Sequence, residues 1–112
     1  MPSNPNPASP LEGVASAVEL VAIQPGAVVS RTLVKKPAGT ITAFAFDAGE
    51  GLSEHTAPFD ALILGLLGEA EITLAGTPHR LGSGEILRLP GGEPHAVKAV
   101  TPFKMLLIMI RA

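Results

Sequence analysis

From Val18 onward, glycine and proline cut the chain into short apolar segments, a punctuation that leaves room for strands and almost none for helices. The breaks fall at Pro25-Gly26, Pro37-Ala38-Gly39, Gly49-Glu50-Gly51, Ala75-Gly76-Thr77-Pro78, Gly82-Ser83-Gly84 and Pro90-Gly91-Gly92. Each supplies a residue that tolerates positive φ or fixes φ for a turn. Between them Glu19–Gln24, Val28–Lys36, Thr40–Phe46, Ala61–Leu67, Ala70–Leu74, Ile86–Leu89, His95–Val100 and Lys104–Ile110 read as strands. The stretch Glu69–Leu74 alternates strictly, the pattern of a strand with one wet and one buried face. Ala61–Leu67 and Leu106–Ile110 are apolar on both faces, as expected of strands lying between an interior and a partner. The absence of a long helix or an internal repeat completes an all-β reading: a sandwich or barrel, jelly rolls included.

The amino-terminal region reads differently. Residues 1–9 are nearly all Pro, Ser and Asn and predict a disordered tail. Ser9-Pro10-Leu11-Glu12 has the form of a capping box, and Leu11, Val14 and Val18 would share a helical stripe. Gly13 limits that stripe to a short N-terminal helical turn or two. Residues 10–112 are then a single domain, long enough for one core.

Hydrophobic residues make up 46% of the chain and the mean hydropathy is +0.39, high for so small a domain. A membrane span does not explain this. The apolar run from Ala61 stops at Glu69, and Met105–Ile110 is flanked by Lys104 and Arg111; both fall short of the roughly 20 residues a bilayer requires. The first ten residues lack the basic start and apolar stretch of a signal peptide. The expectation is a cytoplasmic homodimer that shields an apolar face through Val28–Lys36 or Lys104–Ile110. Scattered Lys and Arg, a net charge of −2 and the lack of Trp and Tyr argue against nucleic-acid binding. Without cysteine, disulfides, thiolate catalysis and zinc-thiolate sites are excluded.

Two segments carry a more specific pattern: Gly49 through His55 to Gly68, and Gly84, Pro90, Gly92 and His95. These seven positions, in order and spacing, resemble the two signature motifs of the cupin superfamily. The chain is similar to the small single-domain, conserved-barrel cupins from Ser30 to its end. The resemblance implies a cupin-type jelly-roll β-barrel. In cupins, two His and a Glu of the first motif and the His of the second usually hold one divalent metal. Here His55 and His95 remain, but Ala57 stands at the second His position, Ala61 at the Glu position and Ala99 at the following Asn position. Two imidazoles are an incomplete set for Zn, Ni, Fe or Mn. Asp60 could substitute only if a bulge at Pro58-Phe59 reversed strand parity.

His55 and His95, with Phe44 and Met105, are the candidate ligand-binding residues, and His55 and His95 the candidate metal ligands. The other candidates have plainer readings. His79 suits a solvent-facing hairpin position, and Arg88 an outer sheet face unless turned inward to clamp a carboxylate. Glu69 and Glu71 suit a wet strand face, and Met105 and Met109 a core or barrel lining. The leading functional expectation is a domain that binds a small molecule in the barrel interior, with the imidazoles as polar fixtures. The alternatives are a metal-dependent enzyme of dioxygenase, isomerase or decarboxylase type, and a structural dimer whose barrel is filled by Phe44, Phe46, Ile63 and Met105. No residue is assigned a catalytic role.

Overall fold

The computed structural model describes Leu11 and residues 13–111. The expected tail at residues 1–9, and the Ser9, Pro10 and Glu12 of the capping box, lie outside the described residues. Among the described residues, nine strands follow one 3-10 turn, Ala17–Glu19: β1 (Val28–Lys36), β2 (Gly39–Phe46), β3 (Gly51–His55), β4 (Asp60–Leu67), β5 (Ala70–Leu74), β6 (Thr77–Leu81), β7 (Ile86–Leu89), β8 (His95–Ala99) and β9 (Phe103–Ile110). They form two antiparallel sheets, of order β1-β2-β9-β4-β7 and β3-β8-β5-β6. The all-β jelly-roll expectation holds. Among the described residues, each sheet keeps its own hydrogen-bonded ladder, and the two face each other across a shared interior.

Alternation fixes what each sheet turns inward. From the five-stranded sheet come Phe46, Ala61, Ile63, Leu89, Phe103 and Met105; Ile72, Leu81, Val97 and Ala99 meet them from the other, all buried in one cluster. Burial falls steadily along β9 and β2. Phe103 and Phe46 are 0% exposed and Met105 1%, whereas Leu107, Met109, Phe44, Thr42 and Thr40 on the same faces are only half-buried. One end of the sandwich is therefore plugged by aromatic rings, and the other is open.

Three expectations need correction. The Leu11–Val14–Val18 stripe does not form: Gly13 takes φ +100°, and Leu11 and Val14 are exposed. Glu19–Gln24 is not a strand and pairs with neither sheet. Its apolar residues instead lie on the outer face of the larger sheet, where Leu20 and Val21 pack with Leu33, Ala43 and Ala45. Arg31 Nη1 donates to the Leu20 carbonyl at 3.0 Å and Lys104 Nζ to the Val18 carbonyl at 2.6 Å, which pins the segment down. Conversely, β3 and β6 are strands with no apolar pattern of their own, held by pairing with β8 and β5. Among the described residues no helix is long and apolar enough to cross a membrane.

Candidate functional site

The open end is built by the carboxyl ends of β3, β5, β7 and β9 and the amino ends of β2, β4 and β8. His55 closes β3, His95 opens β8, and the two are direct register partners. This pairing depends on an irregularity. Leu52 and His55 are an odd number of positions apart, so a regular strand would turn them to opposite faces. The register shift between them restores His55 to the inner side. The imidazole rings meet edge to face with centroids 4.3 Å apart.

The loops around the pair are tied to one another. Gly92 N–H donates to the Ala57 carbonyl at 2.8 Å, and Ala75 N–H to the Pro94 carbonyl at 2.8 Å. Gly92 needs its left-handed φ of +85°, and a Cβ on Gly91 would lie 3.0 Å from the Pro58 carbonyl oxygen. Gly91 and the motif glycine Gly92 thus let the Ala57–Phe59 loop close on the loop that delivers His95.

Each imidazole has one nitrogen engaged: His55 Nδ1 lies 3.0 Å from the Ser53 carbonyl and His95 Nδ1 3.3 Å from the Glu93 carbonyl. A carbonyl oxygen only accepts, so each neutral ring carries its proton on Nδ1 and keeps a lone pair on Nε2. Burial pushes the pKa of His95 below its usual 6.5. The hydrogen bond to the Glu93 carbonyl opposes that shift, and the neighbouring His55 reinforces it. The result is a neutral His95 at neutral pH, with His55 more exposed beside it.

The remaining motif positions supply no donors. Ala61 and Ala99 are buried in the apolar core, and Ala57 offers only its backbone. Asp60 does not substitute. It pairs in register with Ile110 on the outer face, where Oδ1 accepts from Gly91 N–H at 2.8 Å and Oδ2 lies 3.6 Å from Arg88. The bulge needed to turn it inward is absent. Arg88 is accordingly on the outer face, His79 is on the exposed strand β6, and Glu69 pairs with Arg80 on the surface. Among the described residues no three potential ligands converge. Two Nε2 lone pairs are half of a tetrahedral set, and the donors present do not fit a resident metal.

The structure brings His55 and His95 together, with Phe44 on the opposite wall, stacked on Phe46 at 5.9 Å. Met105 lies below, as part of the floor rather than the wall. Sequence reasoning missed Phe59 and Arg111 at the rim, where the guanidinium carbon sits 5.2 Å from the ring centroid. The inward alternation of β9, continued one step past Ile110, was the available signal.

The cupin domain model matches residues 43–110, a span that contains both histidines and most of the interior wall. The chain belongs to the cupin family. Among solved structures, this cupin is 34% identical to a conserved protein of unknown function from Streptococcus pyogenes, with TM-score 0.88 and 96% of each chain covered. It is 30% identical to a cupin superfamily protein from Desulfitobacterium hafniense, with TM-score 0.87 over 94% of this chain and 96% of that one. A cupin 2 conserved barrel domain protein from Leptotrichia buccalis is 42% identical with TM-score 0.81, over 84% of this cupin but 46% of its own length. No curated protein matches significantly.

Proposed function

We propose that this cupin binds a small organic molecule in the open half of its interior, between the His55–His95 pair and the wall of Phe44, Leu107 and Met109. The observation that carries this reading is the burial gradient. Along β2 and β9 the inward-facing side chains pass from fully buried Phe46, Phe103 and Met105 to half-buried Phe44, Leu107 and Met109 toward the end that holds the paired imidazoles. Apolar walls with a few fixed polar groups suit small-molecule recognition. The two Nε2 lone pairs would accept hydrogen bonds from a hydroxyl or amine of the ligand. A metal-dependent enzyme is the weaker reading, because half the ligand set is methyl groups.

The test is a titration of protein carrying ¹³C-methyl methionine with hexanol and hexanoate, followed by NMR. Saturable shifts of the Met109 methyl are expected, with those from hexanol, whose hydroxyl can donate to Nε2, weakened in His95→Ala. If neither probe moves Met105 or Met109 at millimolar concentration, the interior is not a ligand site.

We also infer that the outer face of the larger sheet is covered by a second copy of the chain. Leu62, Leu64, Leu106 and Ile108 lie half-exposed there beyond the Leu20–Ile23 segment, with Ile86 58% and Ile110 47% exposed at the border. Its bordering charges, Asp60 and Arg88, already pair with each other. A two-fold rotation would therefore set apolar centre on apolar centre without a like-charge clash.

A further inference from the structure

The rim of the open end has a charge character that the interior lacks. We propose that the ligand is a small organic carboxylate with an apolar body, and that Arg111 and Lys35 bind its anionic group; this rests on the interior being the ligand site.

Arg111 follows β9, whose inward residues are Met105, Leu107 and Met109, so it shares their parity at the mouth. Its backbone is held there, because Arg111 N–H donates to the Ala38 carbonyl at 2.8 Å. Phe59 lies half-buried in the bend that leads into β4. Its ring takes the guanidinium on its face, 5.2 Å from ring centroid to Arg111 Cζ. Stacking of this kind occupies the flat face of the group and leaves its edge of N–H donors available, the edge that grips a carboxylate in two places.

Lys35 reaches the same rim through a bulge. Thr32 pairs with Thr42, the register then slips past Leu33, and Val34 pairs with Ile41. Val34 packs with the outer cluster, so Lys35, the partner of Thr40, takes the inner side with Thr40 and Met109. Among the described residues the ion pairs are Glu69–Arg80 and Asp60–Arg88, so neither rim cation is committed to an acid there.

The open end carries acids as well as cations: Asp60 is engaged on the outer face, and Glu54 and Glu93 are exposed beside the histidines. Arg111 and Lys35 are the cations placed on the side of the interior by Phe59 and by the register of β1. His95, held neutral by its burial, is a poor anion partner, since an Nε2 lone pair repels a carboxylate. The arrangement fits a ligand whose anion stays at the rim while its body fills the apolar space beneath.

The experiment extends the methyl titration to hexanoate, hexanol and hexylammonium at fixed ionic strength. Hexanoate should bind about tenfold tighter than hexanol, with hexylammonium weakest. Added salt should weaken hexanoate alone. Arg111→Met should close the gap between hexanoate and hexanol to within about twofold; Lys35→Met and the salt series decide the same question if that variant fails to fold. Equal affinities for hexanoate and hexanol at the same methyls would overturn the carboxylate assignment while leaving the interior as a binding site. Silence from every probe would remove the site itself.

Discussion

Phe44 and Phe46 stand two residues apart on one face of β2, with rings stacked at 5.9 Å, yet they should respond very differently to truncation. Phe46 is 0% exposed and also packs against Phe103 at 5.9 Å. Phe46→Ala removes a fully buried ring from the plugged end and leaves a cavity that Phe103 and Ile63 cannot refill; such changes cost about 3–5 kcal/mol. Phe44 is half-buried and borders open space. Phe44→Ala forfeits about half the transfer free energy of a buried aromatic, roughly 1–1.5 kcal/mol, with no closed void added. The gap between the variants is then about 2 kcal/mol, some 8 °C or more in melting temperature for a domain of this size. The assay is urea unfolding followed by far-UV circular dichroism at fixed protein concentration, since the chain has no Trp or Tyr to report by fluorescence. Equal losses from the two substitutions would mean the interior is filled along its whole length, and the open-end reading would fail.

Three further outcomes are expected. The folded His95 has a pKa below its unfolded value of 6.5, so the unfolded chain binds the proton more readily. His95 therefore contributes stability in full above about pH 6.5 and loses it as pH falls through the folded value; urea midpoints between pH 5 and 8 should show this slope, and His95→Asn should flatten it. Protein purified without chelator or nickel resin should carry well under one equivalent of transition metal by elemental analysis. A full equivalent lost on substituting either His55 or His95 would refute the argument from the donor set. Light scattering should give a dimer mass at micromolar concentration and a monomer for Ile108→Glu, while a monomeric native chain would discard the interface.

Much of the architecture is legible in the order of residues alone. Val28–Lys36, Ala70–Leu74 and Ile86–Leu89 are strands with the bounds their patterns indicate, because local alternation and flanking turn residues decide both. The motif residues His55 and His95 are legible too, as is the loss of two ligand positions to Ala57 and Ala61. What the pattern of residues does not carry is anything that depends on a partner distant in the chain. The polar strands Gly51–His55 and Thr77–Leu81 exist because β8 and β5 offer them ladders, and Glu19–Gln24 is no strand because its apolar residues are held on the outer face of the larger sheet. The face taken by His55 is settled by a register slip against β8, that of Lys35 by one against β2, and that of Asp60 by the lack of a bulge where one was needed. A side chain's distance along its strand is written in the sequence. Which side of the sheet it faces is decided when a second strand fixes where the alternation is broken.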